Sequence, residues 1–336
     1  MQGRLDGGKY GQVAGRSGMI TVLTGGTGGA KFVEGLRQIV RPEELTIIVN
    51  TGDDMMWWGL YVSPDIDSIT YMLAGKLSQE RGWGVKGDTF FCLEAMGKLG
   101  QATWFHAGDR DLAMHIFRSQ LMAEGKTLTE VTAEIATRLG VQARILPMSN
   151  SRVETRVQTP IGELSFEEYF VQRWYQDPVE SVRFAGASDA EPAPGVIDAI
   201  RSAELILLAP SNPVTSIGPI LAVPGIREAL RESRARIAAV SPIVGRAAVS
   251  GPAGALLAAQ GFAVSIAGIA DCYHDFLDLL VVDSKDAAAA QQLRETGVRV
   301  HCTPTIMRKN EDRVGLAKSV IAACQQLAAH AASEPS

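Results

Sequence analysis

Two short motifs sit at the ends of two apolar runs and face the same way. Met19 to Leu23 leads into a glycine-rich loop, Thr24 to Lys31, and Leu45 to Val49 leads into Asn50-Thr51-Gly52-Asp53-Asp54. A loop of this kind exposes backbone N–H groups at the start of a helix, where the partial positive charge favours a phosphate. Gly25, Gly26, Gly28 and Gly29 let the chain turn tightly and leave those N–H groups bare, with Lys31 adding a point charge. A carboxylate pair, Asp53 and Asp54, then lies beside it as a ligand set for a cation. The loop lacks the Ser or Thr after Lys31 of a Walker A motif and the third glycine of the dinucleotide fingerprint. Glycines placed only for close helix–strand packing are the competing explanation.

More carboxylates return to turns downstream: Ser63-Pro64-Asp65-Ile66-Asp67, Lys86-Gly87-Asp88 and Gly108-Asp109-Arg110-Asp111. Gathered like charges need a cation or hydrogen bonds, and carboxylates beside phosphate oxygens suit Mg²⁺. Asp53 and Asp54 directly follow a buried strand, and at least one of them is expected to be a ligand. For Asp65, Asp67, Asp88 and Asp109, each before a helical pattern, helix capping is the plain alternative. Arg110 and Arg118 read either as neutralisers of a diphosphate or as solvated helix positions, and His115 as structural. Pro210-Ser211-Asn212-Pro213-Val214-Thr215-Ser216 follows another apolar run, and Ser211, Asn212 and Ser216 offer neutral partners to a base or phosphate.

The elements that must hold these residues follow from periodicity. Short β-branched runs alternating with helical spacings (Phe32, Leu36, Ile39) give a βαβ unit and a buried parallel sheet. Strands are expected at Ala143 to Leu146, Leu205 to Ala209, Ile237 to Val240, Val264 to Ile269, Leu279 to Val282 and Val298 to Val300. Helices are expected at 66 to 79, 88 to 99, 110 to 124, 128 to 139, near Ile226 to Glu232 and near Ala253 to Gln260. Val153 to Phe166, around Pro160-Ile161-Gly162, reads as a hairpin. The fold class is therefore α/β, a Rossmann-like doubly wound and mostly parallel sheet with a helical insertion at about 60–140 and a small β-hairpin excursion. Residues 19–330 form one domain in this reading, and 1–18 a leader or tag-like extension.

Composition limits the partners. The chain has 336 residues, 46% hydrophobic and 21% charged, with a net charge of −5, which supports a substantial core and gives no basic block for nucleic acid. Cys92, Cys272, Cys302 and Cys324 lack metal or disulfide spacing, as expected of reduced thiols in a cytoplasmic enzyme. No apolar stretch reaches spanning length.

Taken together, Gly25-Gly26-Thr27-Gly28-Gly29-Ala30-Lys31, Asn50-Thr51-Gly52-Asp53-Asp54, Gly59-Leu60 with Ser63-Pro64-Asp65-Ile66-Asp67, Gly82-Trp83-Gly84, Gly108-Asp109-Arg110-Asp111-Leu112-Ala113 and Ala209-Pro210-Ser211-Asn212-Pro213 resemble the 2-phospho-L-lactate transferase family, in order from about residue 19 to 325. The resemblance implies a Mg²⁺-dependent enzyme of coenzyme F(420) biosynthesis, usually a homodimer. Such an enzyme moves a phospholactyl or phosphoenolpyruvyl group from a guanosine diphosphate-linked donor to 7,8-didemethyl-8-hydroxy-5-deazariboflavin (Fo), releasing GMP. It maps the metal and acceptor positions onto Asp54 and Asp65, expected as the catalytic pair, with Asp53 completing the implied metal set and the choices between Asp53 and Asp54 and between Asp65 and Asp67 open; the basic position beside the acceptor falls on Arg110, with Asp109 adjoining it. Donor contacts then fall to Gly26, Thr27, Gly28, Gly29 and Lys31 for phosphates, and to Ser211, Asn212 and Ser216 on the guanosine side. Trp57, Trp58 and Trp83 are expected to cover the flat acceptor or to pack as core or lid. Two other readings share motifs: a nucleotide-sugar-binding regulator without turnover, similar to the gluconeogenesis-factor proteins, and an NAD(P)-dependent dehydrogenase, which the absent third glycine disfavours. The three-carbon donor is left open between phospholactate, phosphoenolpyruvate and phosphoglycerate derivatives.

Overall fold

A computed structural model describes residues 18–333. The expected leader therefore lies, apart from Gly18, outside the described residues. Seven strands form one sheet, in the order Arg144–Pro147, β2 (Leu45–Val49), β1 (Ile20–Thr24), Leu205–Leu208, Arg236–Val240, Leu279–Asp283 and Val300–Thr303, and all six ladders are parallel. The first described strand, β1, lies mid-sheet; the chain then builds outward to one edge and crosses back over β1 to fill the other half. The order reverses between β1 and Leu205–Leu208, where open α/β sheets form a ligand crevice at their carboxyl ends.

Alternate residues of each strand enter different cores, as the pleat requires. Val22, Ile47, Val49, Leu207 and Val281 join the face covered by α1 (Gly26–Leu36) and the C-terminal helix Asn310–Ser333. Leu23, Ile48, Leu208 and Leu280 join the face covered by Val196–Ser202, Ile226–Glu232, Ala253–Ala259 and Ile266–Tyr273. The strands read as continuous apolar runs because both faces are buried.

After β2 come a ribbon of β3 (Met55–Trp57) and β4 (Leu60–Val62), then α2 (Pro64–Leu73), α3 (Phe91–Lys98), α4 (Asp109–Ala123) and a helix at Leu128–Arg138. The expected hairpin is present as Glu154–Thr159 with Gly162–Ser165, and a third antiparallel strand, Ser181–Ala185, joins it. This small sheet docks on the mouth of the crevice: Thr155 N–H donates to the Gly52 carbonyl at 2.7 Å.

One expected strand is corrected. Val264 to Ile269 does not join the sheet: the Ser265 hydroxyl accepts from Gly268 N and caps the helix Ile266–Tyr273. A Ser followed three residues on by a free N–H satisfies a helix start locally, and that outweighs the β-branched run. No element is expected from sequence beyond Val300, where the structure has the helix Asn310–Ser333.

Candidate active site

The crevice is knotted around Asn50. The Asn50 amide nitrogen lies 2.9 Å from Asp53 Oδ2, 2.9 Å from Asp65 Oδ2 and 3.3 Å from the Thr215 carbonyl. Its Oδ1 accepts from Gly52 N at 2.7 Å, which fixes which way the amide points. Asp65 Oδ1 accepts from Gly26 N at 2.6 Å, so this carboxylate sits at the first N–H of α1, a helix with no side-chain cap. Asp54 is held by two hydroxyls, Tyr61 to Oδ2 at 2.9 Å and Ser63 to Oδ1 at 2.6 Å. The structure thus brings together the N-terminus of α1, Asp53, Asp54, Asp65 and the Ser211–Ser216 loop.

Glycine positions record how closely these segments meet. A Cβ on Gly25 would lie 2.6 Å from Asp65 Oδ2 and 2.9 Å from Ser216 Cβ; on Gly28, 2.5 Å from the Pro210 carbonyl; on Gly29, 1.8 Å from Thr24 Oγ1. Gly28 and Gly29 are therefore demanded by protein packing whatever lies outside. Gly26, at φ +66°, meets only Ser216 Oγ at 3.5 Å, and Thr27 is exposed, so these two face the crevice most openly. Lys31 is half-buried one turn on.

Charge is concentrated here against its own preference. Burial, then repulsion from Asp65, Glu167 and Asp54, pushes the Asp53 carboxyl well above the usual range. Burial raises Asp54 likewise, against the stabilising hydroxyls of Ser63 and Tyr61. Asp65 is pushed up to about 6, chiefly by burial. Glu167 is pushed up to about 8 by burial and by the charges of Asp65 and Asp54. The Thr155 hydroxyl works against that rise at Asp53, yet Asp53 Oδ1 is buried with no donor in full hydrogen-bond geometry among the described residues. Carboxylates that are costly to ionise, with an oxygen left over, suit a cation. Asp53, Asp54 and Asp65 do not, however, converge as a three-ligand cage. Among the described residues, the trio whose ligand atoms lie within 4.8 Å of one another is Asp67, Asp111 and His115, and there the Arg118 guanidinium already pairs with Asp67. Mg²⁺ commonly takes one or two carboxylates and completes its shell with substrate phosphates, which fits the crevice set.

Ser211 Oγ donates to the Gly25 carbonyl at 2.7 Å and stitches its loop to the glycine loop. Asn212 Oδ1 accepts from Val214 N at 3.0 Å, capping its own turn. Ser216 is buried beside Gly25. Asp88 and Asp109 each serve the start of a helix: Asp88 Oδ1, from the loop before α3, accepts from Arg110 N at 2.8 Å at the start of α4, while Asp109 Oδ1, on α4, accepts from Cys92 N at 2.9 Å in α3. The Thr89 hydroxyl and the Cys92 N–H hold the Asp109 carboxyl below its ordinary range. Arg110 is exposed, its Nη1 donating to the Lys86 carbonyl at 3.1 Å. Of the two readings of Arg118, neither applies: it is 1% exposed and paired with Asp67. Trp57 is buried edge-on against Trp104, with ring centroids 4.9 Å apart, while Trp83 is partly exposed under Arg81.

Residues 20–318 match the model of the 2-phospho-L-lactate transferase CofD family. The 2-phospho-L-lactate transferase of Methanococcoides burtonii is 42% identical over 300 residues, 89% of this chain and 97% of that protein. That of Methanocaldococcus jannaschii is 40% identical over 313 residues, 92% and 99% of the two chains. The phosphoenolpyruvate transferase of Streptomyces coelicolor is 41% identical over 314 residues, 92% and 98%. The chain belongs to the 2-phospho-L-lactate transferase family. It is accordingly an enzyme of the group-transfer class, of the 2-phospho-L-lactate or phosphoenolpyruvate transferase type. A solved UPF0052-family protein of Bacillus halodurans shares the fold at 18% identity, with a TM-score of 0.65 over 92% of this chain and all of that one.

Within this transferase, two crevice residues escape a reading of local sequence. Asn50 is visible only as part of its motif, and nothing local marks it as the side chain that ties its own loop to α2 and to the Ser211–Ser216 loop. Glu167 follows a strand of the small antiparallel sheet, and only the docking of that sheet on Gly52 delivers it to the carboxylates. Its one local signal is a second acid beside Glu168 in an otherwise aromatic segment.

Proposed function

We propose that the enzyme transfers a phospholactyl or phosphoenolpyruvyl group from a guanosine diphosphate-linked donor to the ribityl hydroxyl of Fo, releasing GMP, with Mg²⁺. The observation that carries this reading is the set of buried carboxylates beside the α1 N-terminus at the sheet's switch point. The hydroxyl oxygen bonds to the phosphorus bearing the three-carbon acid, the anhydride bond to GMP breaks, and the hydroxyl proton passes to a crevice carboxylate, Asp53 or Asp65. Such a displacement needs alignment and neutralised charge more than covalent help. Gly26, Thr27 and Lys31 face the donor phosphates, and the Ser211–Ser216 loop the guanosine side. Asp54 and Asp65, with Asp53 adjoining, would hold Mg²⁺, which when bound supplies charge neutralisation to the diphosphate. Arg110 and Asp109, at the start of α4, mark the acceptor side. The enzyme acts in this account as a cytoplasmic homodimer; among the described residues no helix is long and apolar enough to cross a membrane.

The test offers purified enzyme, Fo and Mg²⁺ the guanylylated phospholactate, phosphoenolpyruvate and phosphoglycerate donors in competition. GMP release with a product mass equal to Fo plus one phospho-acid supports the proposal. Donor binding with no GMP formed would favour the regulator reading and end this one.

A further inference from the structure

Tyr61 connects the middle of α4 to Asp54. Its phenol donates to Asp54 Oδ2 at 2.9 Å. Its main chain is gripped from α4 on both sides: Tyr61 N–H donates to Ser119 Oγ at 2.7 Å, and the Tyr61 carbonyl accepts from Arg118 Nη1 at 3.5 Å. Ser119 Oγ donates in turn to the His115 carbonyl at 2.7 Å, which leaves its lone pairs for Tyr61. Arg118 is itself immobilised. It forms a two-pronged pair with Asp67 of α2, Nη1 to Oδ2 at 3.1 Å and Nη2 to Oδ1. His115 lies 3.6 Å from both Asp67 and Asp111, and the Tyr71 hydroxyl donates to Asp111 at 2.6 Å. A buried polar brace thus locks α2 to α4, and Tyr61 is where it reaches the crevice.

An aspartate's terminal torsion is broad, so a carboxylate keeps one orientation only when fixed donors hold it. Asp54 has two such donors, Ser63 on the loop before α2 and Tyr61 on β4. We propose that Tyr61, backed by Ser119 and Arg118, is a positioning relay that sets the orientation of Asp54 for the transfer reaction. The role rests on Asp54 acting in that reaction as proposed above. Arg118 is too deeply buried to meet substrate; it acts through the backbone of Tyr61.

The experiment compares Tyr61→Phe, Ser119→Ala, Asp54→Asn and the double variant Tyr61→Phe/Asp54→Asn, in steady-state turnover of Fo with the guanylylated donor and in Mn²⁺ binding by electron paramagnetic resonance without substrates. Loss of one hydrogen bond to a charged group predicts about a tenfold to hundredfold fall in kcat for Tyr61→Phe, with KM for both substrates within about twofold. Mn²⁺ affinity falls about tenfold, Ser119→Ala moves both readouts in the same direction by less, and the double variant is no slower than Asp54→Asn. A Tyr61→Phe enzyme within about twofold of wild-type kcat, or one altered only in KM with Mn²⁺ binding intact, overturns the relay while an inactive Asp54→Asn leaves the site standing. Wild-type turnover by Asp54→Asn would instead remove the site reading and the relay with it.

Discussion

Replacing Asp65 by Asn separates what this carboxylate does for the fold from what it does for the reaction. Its charged form is expensive: a carboxyl moved from an ordinary 3.8 to about 6, chiefly by burial, carries a penalty of about 3 kcal/mol when ionised at neutral pH, at about 1.4 kcal/mol for each tenfold change. The asparagine removes that penalty. It can keep its oxygen toward Gly26 N, now as a neutral acceptor, but its amide hydrogens then meet the Asn50 amide, which cannot turn because Asn50 Oδ1 holds Gly52 N. The Gly26 and Asn50 bonds already act within that net value; the new cost is the buried amide donor of the asparagine set against the Asn50 donor, about 2–3 kcal/mol for the two unsatisfied groups. The two sides nearly cancel, so the free energy of urea unfolding at pH 7.5 should change by no more than about 1 kcal/mol, while kcat for GMP release falls at least about a hundredfold. A variant that unfolds more than about 3 kcal/mol too easily would refute the charge argument. One that turns over normally would refute the role of Asp65 in the chemistry.

Titration of the crevice should show in stability. The folded-state values of Asp65 and Glu167 lie above their ordinary ones, at about 6 and about 8, so their stabilising contribution is present below about pH 4 and lost as pH rises through those values. Thermal midpoints of metal-free enzyme should fall from pH 5 to 9, and added Mg²⁺ should raise them more at pH 8.5 than at pH 5; a Mg²⁺ effect equal at both would count against the site. Gly29→Ala sets a Cβ 1.8 Å from Thr24 Oγ1 and 2.7 Å from Ser211 Oγ and should cost about 1–3 kcal/mol in urea unfolding; an unperturbed midpoint would show that the loop has slack. Arg118→Met strands the buried Asp67 charge and should cost about 3–5 kcal/mol, read by the same assay, with a change below about 1 kcal/mol contradicting the brace.

Much of the fold was legible because its signals are local. Continuous apolar runs ending at glycine or asparagine announce strands buried on both faces, and β1, α1 and β2 follow from such runs and a helical spacing. The motifs after those strands lie at one edge of the sheet, since β1 and β2 are parallel. What was illegible depends on distant partners. Val264 to Ile269 has a strand's composition, and a single serine cap turns it into a helix. Ser181–Ala185 pairs with a strand over twenty residues earlier, and its alternation is too short to show that. Arg118 looks like any charge on an amphipathic helix until Asp67, 51 residues away, is packed against it. Gly28 and Gly29 carry a phosphate-loop signature, yet the atoms that exclude a side chain there belong to the protein, and Gly26 and Thr27 are the positions left open to the crevice.

The most direct measurement of the central claim is a crystal structure with Fo, a non-reactive guanosine diphosphate-linked donor and Mn²⁺, the metal located by its anomalous signal. Donor phosphates are expected over the N-terminus of α1, manganese between them and the carboxylates of Asp54 and Asp65 or Asp53, and the ribityl hydroxyl of Fo facing the same phosphorus. Donor and acceptor bound on opposite sides of the molecule, or manganese held away from all three aspartates, would contradict it.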